Sequence, residues 1–327
     1  MHTLPCHRFF MVVKQAFVLG AGLGTRLRPL TERLPKPMVP VFHRPLIDYA
    51  FDHLHAAGIS RIMVNTHHRP EAYADAYPDR MFRGIPLTFR HEPVLLETGG
   101  GLRNIMDWME QETLLVYNGD ILSDLPLEQA IAAHKESGRE VTMVLRSSGG
   151  PLQVAVPDGM DSITDIRGML GDDRSPRFLF TGIYLVEPAF VRRIPPGEIV
   201  SVVVTFLEMV RAGELVGAVV LDDGQWHDVG TIEQYQQIHH SLPWSGFPRY
   251  ADALPWKPTV DPSAQIASDA TLAAGVVVGA GAVIEAGAWL QDCVLWPGAR
   301  VAAGAKLEHV IVRTNQVASG NLVDVVV

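Results

Sequence analysis

Two cysteines in 327 residues, Cys6 and Cys293, leave no material for a disulfide framework or a thiolate metal site. They stand near opposite ends of the chain without metal-ligand spacing, which predicts free thiols in a reducing compartment. Long apolar runs are missing as well, so a transmembrane helix is not expected. The apolar residues Phe9 to Val13 are interrupted by Lys14 and Gln15 and no cleavage site follows them, so a secretory signal is not expected. Positive charge is in deficit: 27 Lys and Arg against 36 Asp and Glu give a net charge of −9. That balance argues against a nucleic-acid or anionic-membrane partner, although a local cluster of cations can still hold a small anion. With 19% charged and 47% hydrophobic residues, the expectation is an ordinary globular protein of the cytoplasm.

What is present begins at the first apolar run. Gln15 to Leu19 reads as a short strand, and Gly20-Ala21-Gly22-Leu23-Gly24-Thr25-Arg26 follows it directly. Glycines at the end of a strand let successive backbone N–H groups turn toward one anionic guest without Cβ interference. Arg26, and Lys36 set between Pro35 and Pro37, add a planar cation and a point cation, as a polyphosphate requires. A dinucleotide-binding fingerprint fits less well. Its glycines are spaced G-x-G-x-x-G at the start of a helix, whereas here the spacing is G-x-G-x-G and Pro29 follows. It also needs an acid at the end of the second strand, and the strand Arg61 to Asn65 ends in Asn65-Thr66-His67.

Apolar strands alternate with helical segments as far as residue 240. The strands are Arg61–Asn65, Leu87–His91, Leu114–Tyr117, Val141–Leu145, Phe180–Val186 and Leu215–Leu221; the helices include Leu46–Ala57 and Pro126–Ser137. This alternation predicts an α/β fold, a Rossmann-like, mostly parallel sheet with helices on both faces and ligands at the carboxyl ends of its strands. Residues 1–10 read as an N-terminal extension, 11–240 as the α/β domain and 241–258 as a Pro/Trp-rich linker.

From 259 to 327 a period of six takes over. Val260, Ile266, Leu272, Val278, Ile284 and Leu290 recur at that interval, each followed four positions later by a small or β-branched residue, Ala264 to Val294. The register slips by one around Trp296-Pro297-Gly298 and resumes at Val301 and Leu307. Such a period places one inward aliphatic residue on each of three flat faces, and the segment resembles a left-handed parallel β-helix of about four coils. An acyltransferase reading of the repeat lacks a looped-out histidine; His309 is the one histidine in the segment. The module reads as a cap, and a second copy of the chain is the partner it suggests.

Two aspartates complete the chemistry. Asp120 follows the strand Leu114–Tyr117 in Asn118-Gly119-Asp120, and Asp228 lies in Trp226-His227-Asp228-Val229-Gly230-Thr231. Two carboxylates at strand ends can hold a divalent metal between phosphates. The paired histidines His67-His68 and His239-His240 read as loop or helix-surface residues, because adjacent side chains do not converge on one ion in a regular element. His227 reads as a neighbour that could orient Asp228.

Taken with the Gly20–Lys36 segment, Asn118–Asp120 and Trp226–Thr231, the chain resembles the sugar-1-phosphate nucleotidylyltransferases over essentially its whole length. The resemblance implies that Leu19, Gly20, Ala21, Gly22, Gly24 and Thr25 bind the nucleotide with Glu92, Thr98, Gly99, Gly100, Asn118 and Gly119. It implies that Arg26 and Lys36 are catalytic and that Asp120 and Asp228 hold Mg²⁺. Glu97, Arg167 and Gly182 would face the sugar phosphate. Arg167 stands where many relatives have the lysine of a Glu-Lys-Pro, and Ile199-Val200-Ser201-Val202 lacks a second lysine common near that point. Glu97-Thr98-Gly99-Gly100-Gly101 is similar to enzymes that transfer UMP to N-acetylmuramic acid 1-phosphate, whereas the tail with Leu295-Trp296-Pro297-Gly298-Ala299 is similar to mannose-1-phosphate guanylyltransferase-type proteins. The implied substrates are a nucleoside triphosphate and a sugar 1-phosphate, with base and sugar both open. The alternative is a catalytically silent, nucleotide-sugar-sensing subunit; such relatives usually lose a cation or a metal aspartate, and all four are present here.

Overall fold

A computed structural model describes residues 13–242, 246–250 and 259–327. The extension 1–10, Cys6 and most of the 241–258 linker lie outside the described residues.

Four strands form the parallel centre of a ten-stranded sheet, in the order Ile85–His91, Arg61–Thr66, Gln15–Leu19 and Leu114–Asn118. Beyond Leu114–Asn118 the sheet is mixed. Arg177–Val186 runs antiparallel to Leu114–Asn118 and to Val141–Arg146, and Gly217–Val220 then joins Val141–Arg146 in parallel. A short hairpin, Val154–Ala155 with Asp165–Ile166, extends Arg177–Val186 at one edge.

The stretches Ala16–Leu19, Ile62–Val64 and Leu114–Tyr117 of the central strands are apolar without interruption because both of their faces are covered. Val18, Ile62, Val64 and Leu115 pack on one side with Phe51 and Leu54 of the helix Ile47–Ala56. Their strand neighbours Phe17, Met63, Leu114 and Val116 pack on the other with Leu102, Phe190 and Phe206, which belong to the helices Glu97–Asn104, Pro188–Arg193 and Val202–Arg211. All four parallel strands end on the same edge, at Leu19, Thr66, His91 and Asn118. The chemistry gathers along that edge.

The tail forms three all-parallel sheets, consistent with the left-handed hexapeptide class of β-helix. Ile266, Ile284, Val301 and Ala318 stack on one face, and Leu272, Leu290, Leu307 and Leu322 on the next. Val278, Leu295 and Val312 stack on the third. The slip in the period lies earlier than the sequence pattern suggests. Leu290 and Leu295 occupy consecutive faces, so the missing residue falls at the turn through Asp292, which closes with a left-handed φ of 50°. His309, one coil on, does the same at φ 53°. Cys293 is buried in this core, where desolvation pushes its thiol up to about 11.

Candidate active site

The signature loop leaves the first strand at Leu19 and is held from below by a residue on the neighbouring strand. Asn65 accepts hydrogen bonds from the Gly20 N–H at 2.9 Å and the Ala21 N–H at 3.3 Å. The buried Tyr73 hydroxyl donates to the Gly20 carbonyl at 3.0 Å. Gly24 adopts φ +57°, and Thr31 Oγ1 donates to its carbonyl at 2.8 Å, which closes the loop before a single 3₁₀ turn, Thr25–Leu27. A second 3₁₀ turn, Lys36–Met38, starts after Pro35 and sends Lys36 inward.

The Lys36 ammonium lies 2.7 Å from Asp120 and 3.5 Å from Asp228. A two-stranded ribbon sets that spacing: Ile121–Ser123 pairs antiparallel with Trp226–Asp228, and Asp228 stands opposite Ile121, next in chain to Asp120. Both carboxylates are about one-third exposed, at 33% and 31% of the side chain, while Lys36 is almost closed off. Arg26 comes over the same place. Its guanidinium and Asp228 both lie within 3.2 Å of where a Gly230 Cβ would project, so the bare Gly230 leaves room for the two side chains to meet there.

Arg26, Lys36, Asp120 and Gly230 border one cavity of about 270 Å³, and Asp228 stands beside its lining. Leu19, Gly20, Ala21, Gly22, Gly24, Thr25, Arg26, Lys36, Thr98, Asn118 and Asp120 line it, together with Pro37 and Gly230. Gly22 is informative: a Cβ there would meet nothing within 4 Å, and its φ lies outside the left-handed region. Nothing inside the protein requires glycine at this position, whereas a guest lying on the backbone would.

The remaining residues of the expected site sit behind or beside the cavity. Glu92 is 1% exposed, and its carboxylate accepts from Asn65 Nδ2 at 2.8 Å and from the Leu96 N–H at 3.2 Å. It therefore supports the loop through Asn65. Gly99 and Gly100 lie in the first turn of the helix Glu97–Asn104, and their bare Cα positions let that helix press on the 198–202 segment. A Cβ at Gly99 would lie 2.7 Å from the Val200 carbonyl, and one at Gly100 2.2 Å from that of Glu198. Of this run only Thr98 faces the cavity. Gly119 packs against the Leu19 carbonyl, and Gly182, at φ +80°, against the Asn118 amide. Glu97 is exposed at the rim, and Arg167 is exposed with its Nε on Gln153 at 2.9 Å, outside the cavity lining.

The histidines divide. His68 bonds the Thr31 carbonyl and His67 the Glu92 carbonyl. His227 bonds Gln225 and lies edge-on to Phe247, turned from Asp228 by the strand alternation, and burial lowers its pKa. His239 is a correction to the surface reading: it is 4% exposed, donates to the Tyr235 carbonyl at 2.9 Å and packs on Phe42, and burial lowers its pKa to about 4. Helical spacing from Tyr235 places it on the inner face. His240 alone faces out, beside Asp292. Sequence reasoning missed Asn65, Tyr73, Pro37 and the cavity role of Gly230.

The family described as Nucleotidyl transferase matches residues 15–243, the whole stretch that carries this cavity. The chain belongs to the sugar-1-phosphate nucleotidylyltransferase family. It is 32% identical over 298 residues to a mannose-1-phosphate guanylyltransferase of Mycobacterium tuberculosis, covering 90% of this chain and 83% of that one. To a UTP–glucose-1-phosphate uridylyltransferase of Synechocystis it is 28% identical over 242 residues, covering 68% and 62%. A solved UDP-glucose pyrophosphorylase from Acinetobacter baumanii shares the fold at a TM-score of 0.59 and 18% identity, over 73% of this chain and 96% of that one. As a nucleotidylyltransferase, the chain brings a glycine-rich loop, the two cations Arg26 and Lys36 and the carboxylate of Asp120 to a single cavity, with Asp228 beside it, 3.5 Å from Lys36.

Proposed function

We propose that this chain joins GTP to mannose 1-phosphate, releasing pyrophosphate and forming GDP-mannose. The observation that carries the reaction is Lys36 poised between Asp120 and Asp228 in the cavity that Gly22, Gly24 and Thr25 also line. The choice of guanine and mannose is supported by the extent of the likeness. The guanylyltransferase match is too long to lie within residues 15–243 and so includes tail sequence, whereas the uridylyltransferase match covers 68% of the chain.

A phosphate monoester is already anionic at neutral pH, so its oxygen can attack the α-phosphorus without a protein base. The new P–O bond forms in line as the bond to the β-phosphate oxygen breaks, and pyrophosphate carries away the electron pair. Little covalent work is left for the protein, and catalysis rests on position and charge. The loop amides hold the triphosphate oxygens, Arg26 neutralises charge growing on the leaving pyrophosphate, and Lys36 draws on the α-phosphate.

Asp120 and Asp228 fit Mg²⁺. Both are hard oxygen donors, they converge on one cationic position, and among the described residues no cluster of three or more His, Cys, Asp or Glu competes with them. Two carboxylates with the remaining ligands drawn from phosphate and water is the arrangement this ion favours. When bound, Mg²⁺ supplies further neutralisation of phosphate charge.

Pyrophosphate release from five nucleoside triphosphates against a panel of sugar 1-phosphates, with Mg²⁺ or with chelator, tests the reading. The expected signal is strongest for GTP with mannose 1-phosphate and is lost with chelator. Silence across the panel from protein that binds a nucleotide would favour the sensing subunit instead.

A further inference from the structure

The third face of the β-helix breaks the rule that its outward strand positions meet water. On the other two faces those positions include Gln265 and Arg300, and Thr271, Lys306 and Asn321. On the third they are Val277, Val294 and Ile311, a ladder in register and 0–4% exposed. The hexapeptide core does not need them, because Val278, Leu295 and Val312 already fill the interior. They belong instead, with Trp296, to a buried cluster that also holds Leu27, Leu30, Val39 and Val41, together with Tyr235 and Ile238 of the helix Ile232–Ser241. The four from Leu27 to Val41 belong to the same signature segment that carries Arg26 and Lys36, on its side away from the cavity.

Two polar contacts pin that segment at either end. Arg313, on the β-helix, donates from Nη1 to the Pro29 carbonyl at 3.1 Å and pairs with Glu32 at 3.0 Å, while its Nε is fixed on the Val327 carbonyl at 3.0 Å. At the other end Trp296 Nε1 donates to the Tyr235 hydroxyl at 2.9 Å, and that hydroxyl donates to the Pro40 carbonyl at 2.5 Å. Pro29 lies three residues after Arg26, and Pro40 four after Lys36, so Lys36 sits between the pins and Arg26 just before the first.

We infer that the β-helix is a brace for the catalytic loop, and that Arg313 is a positioning residue that acts on nucleotide binding and turnover through the Pro29 carbonyl and Glu32. The inference rests on the nucleotidyl-transfer reading for its kinetic effect. Its physical basis does not: a main-chain carbonyl and a carboxylate gripped by one planar guanidinium lose two directions of freedom together.

The test uses the full chain and four proteins: wild type, Arg313→Ala, Arg313→Lys and Arg300→Ala. Arg300 is an exposed β-helix residue that, among the described residues, pairs only with Glu285, within its own module. In Arg313→Ala, kcat/KM for the nucleoside triphosphate is expected to fall about tenfold, with KM raised and the dissociation constant of the nucleotide rising in parallel. Arg313→Lys recovers part of the loss, and Arg300→Ala behaves as wild type. Hydrogen exchange in Arg313→Lys, the milder change, should quicken over residues 25–38 and not within the β-helix coils. Wild-type KM, kcat and exchange in the Arg313 variants would overturn the inference. An inactive wild type would remove the nucleotidyl-transfer reading alone, since nucleotide binding and exchange still report on the brace.

Discussion

Asn65 donates its Nδ2 to Glu92 at 2.8 Å, and this bond decides which way the Asn65 amide faces. With the nitrogen committed to a buried carboxylate, Oδ1 is left to receive the N–H groups of Gly20 and Ala21. Asn65→Ala would leave those two donors and one carboxylate oxygen without partners. The expected cost is about 1–3 kcal/mol of stability, with a raised KM for the nucleoside triphosphate. Glu92→Gln should resemble it more weakly, because an amide in that place meets either the Asn65 or the Leu96 N–H group with a donor. Thermal denaturation and initial-rate kinetics of both variants check this.

Lys36→Ala and Asp120→Asn test the charge arrangement. Each is expected to lower turnover at least about a hundredfold while the protein remains folded. The two are coupled through the 2.7 Å ion pair, so the double variant should lose much less than the product of the single losses. Multiplicative losses in the double variant would show that the residues act separately.

Gly22→Ala and Gly182→Ala should behave in opposite ways. The first places a methyl group in open space, so the melting temperature should hold while nucleotide affinity falls about tenfold or more. The second puts a Cβ 2.4 Å from Asn118 Nδ2 at a φ of +80° and should cost about 1–3 kcal/mol of stability. Equal melting temperatures for the two variants would contradict the assignment of one glycine to the guest and the other to the fold.

Much of the site was legible because it is contiguous. Gly20 to Lys36 states its purpose in seventeen residues, and Asp120 and Asp228 carry recognisable neighbours. What stayed hidden depends on distant pairing. Asn65 excluded a dinucleotide site on sequence grounds, yet its structural work requires knowing that its strand lies beside Leu19 and that Glu92 lies beneath it. The glycines 99–101 have a composition suited to a nucleotide base, but close packing of Gly99 and Gly100 on the 198–202 segment, and of Gly101 on Asn65 and Glu92, uses the same absence of a side chain. In the tail the six-residue period exposed the coils and inward residues. It did not reveal that Val277, Val294 and Ile311 face a partner surface, since that surface is some 250 residues earlier in the chain. The hairpin beside Arg177–Val186 was missed because its strands are two residues each, too short for a period to show.

Stability should fall with acid before the carboxylates titrate. His53, bonded between the Tyr117 hydroxyl and the Leu125 carbonyl, and His239 are fully buried, and desolvation lowers both pKa values to about 4. Unfolding frees them to bind protons at their ordinary value near 6.5. The unfolded state then holds more protons between those limits, so stability is fully present above about pH 6.5 and drains as pH falls toward 4. The slope should approach about 1.4 kcal/mol per pH unit for each histidine. Urea unfolding at pH 7, 6 and 5 measures it, and a flat profile would show that neither histidine is held neutral.

The measurement that bears most directly on the central claim is transfer of label from [α-³²P]GTP to mannose 1-phosphate by the wild-type chain and by Lys36→Ala. The expected result is labelled GDP-mannose with one equivalent of pyrophosphate from the wild type, and at least about a hundredfold less from the variant. Equal label transfer by the two proteins, or nucleotide binding by the wild type with no transfer to any sugar phosphate, would contradict it.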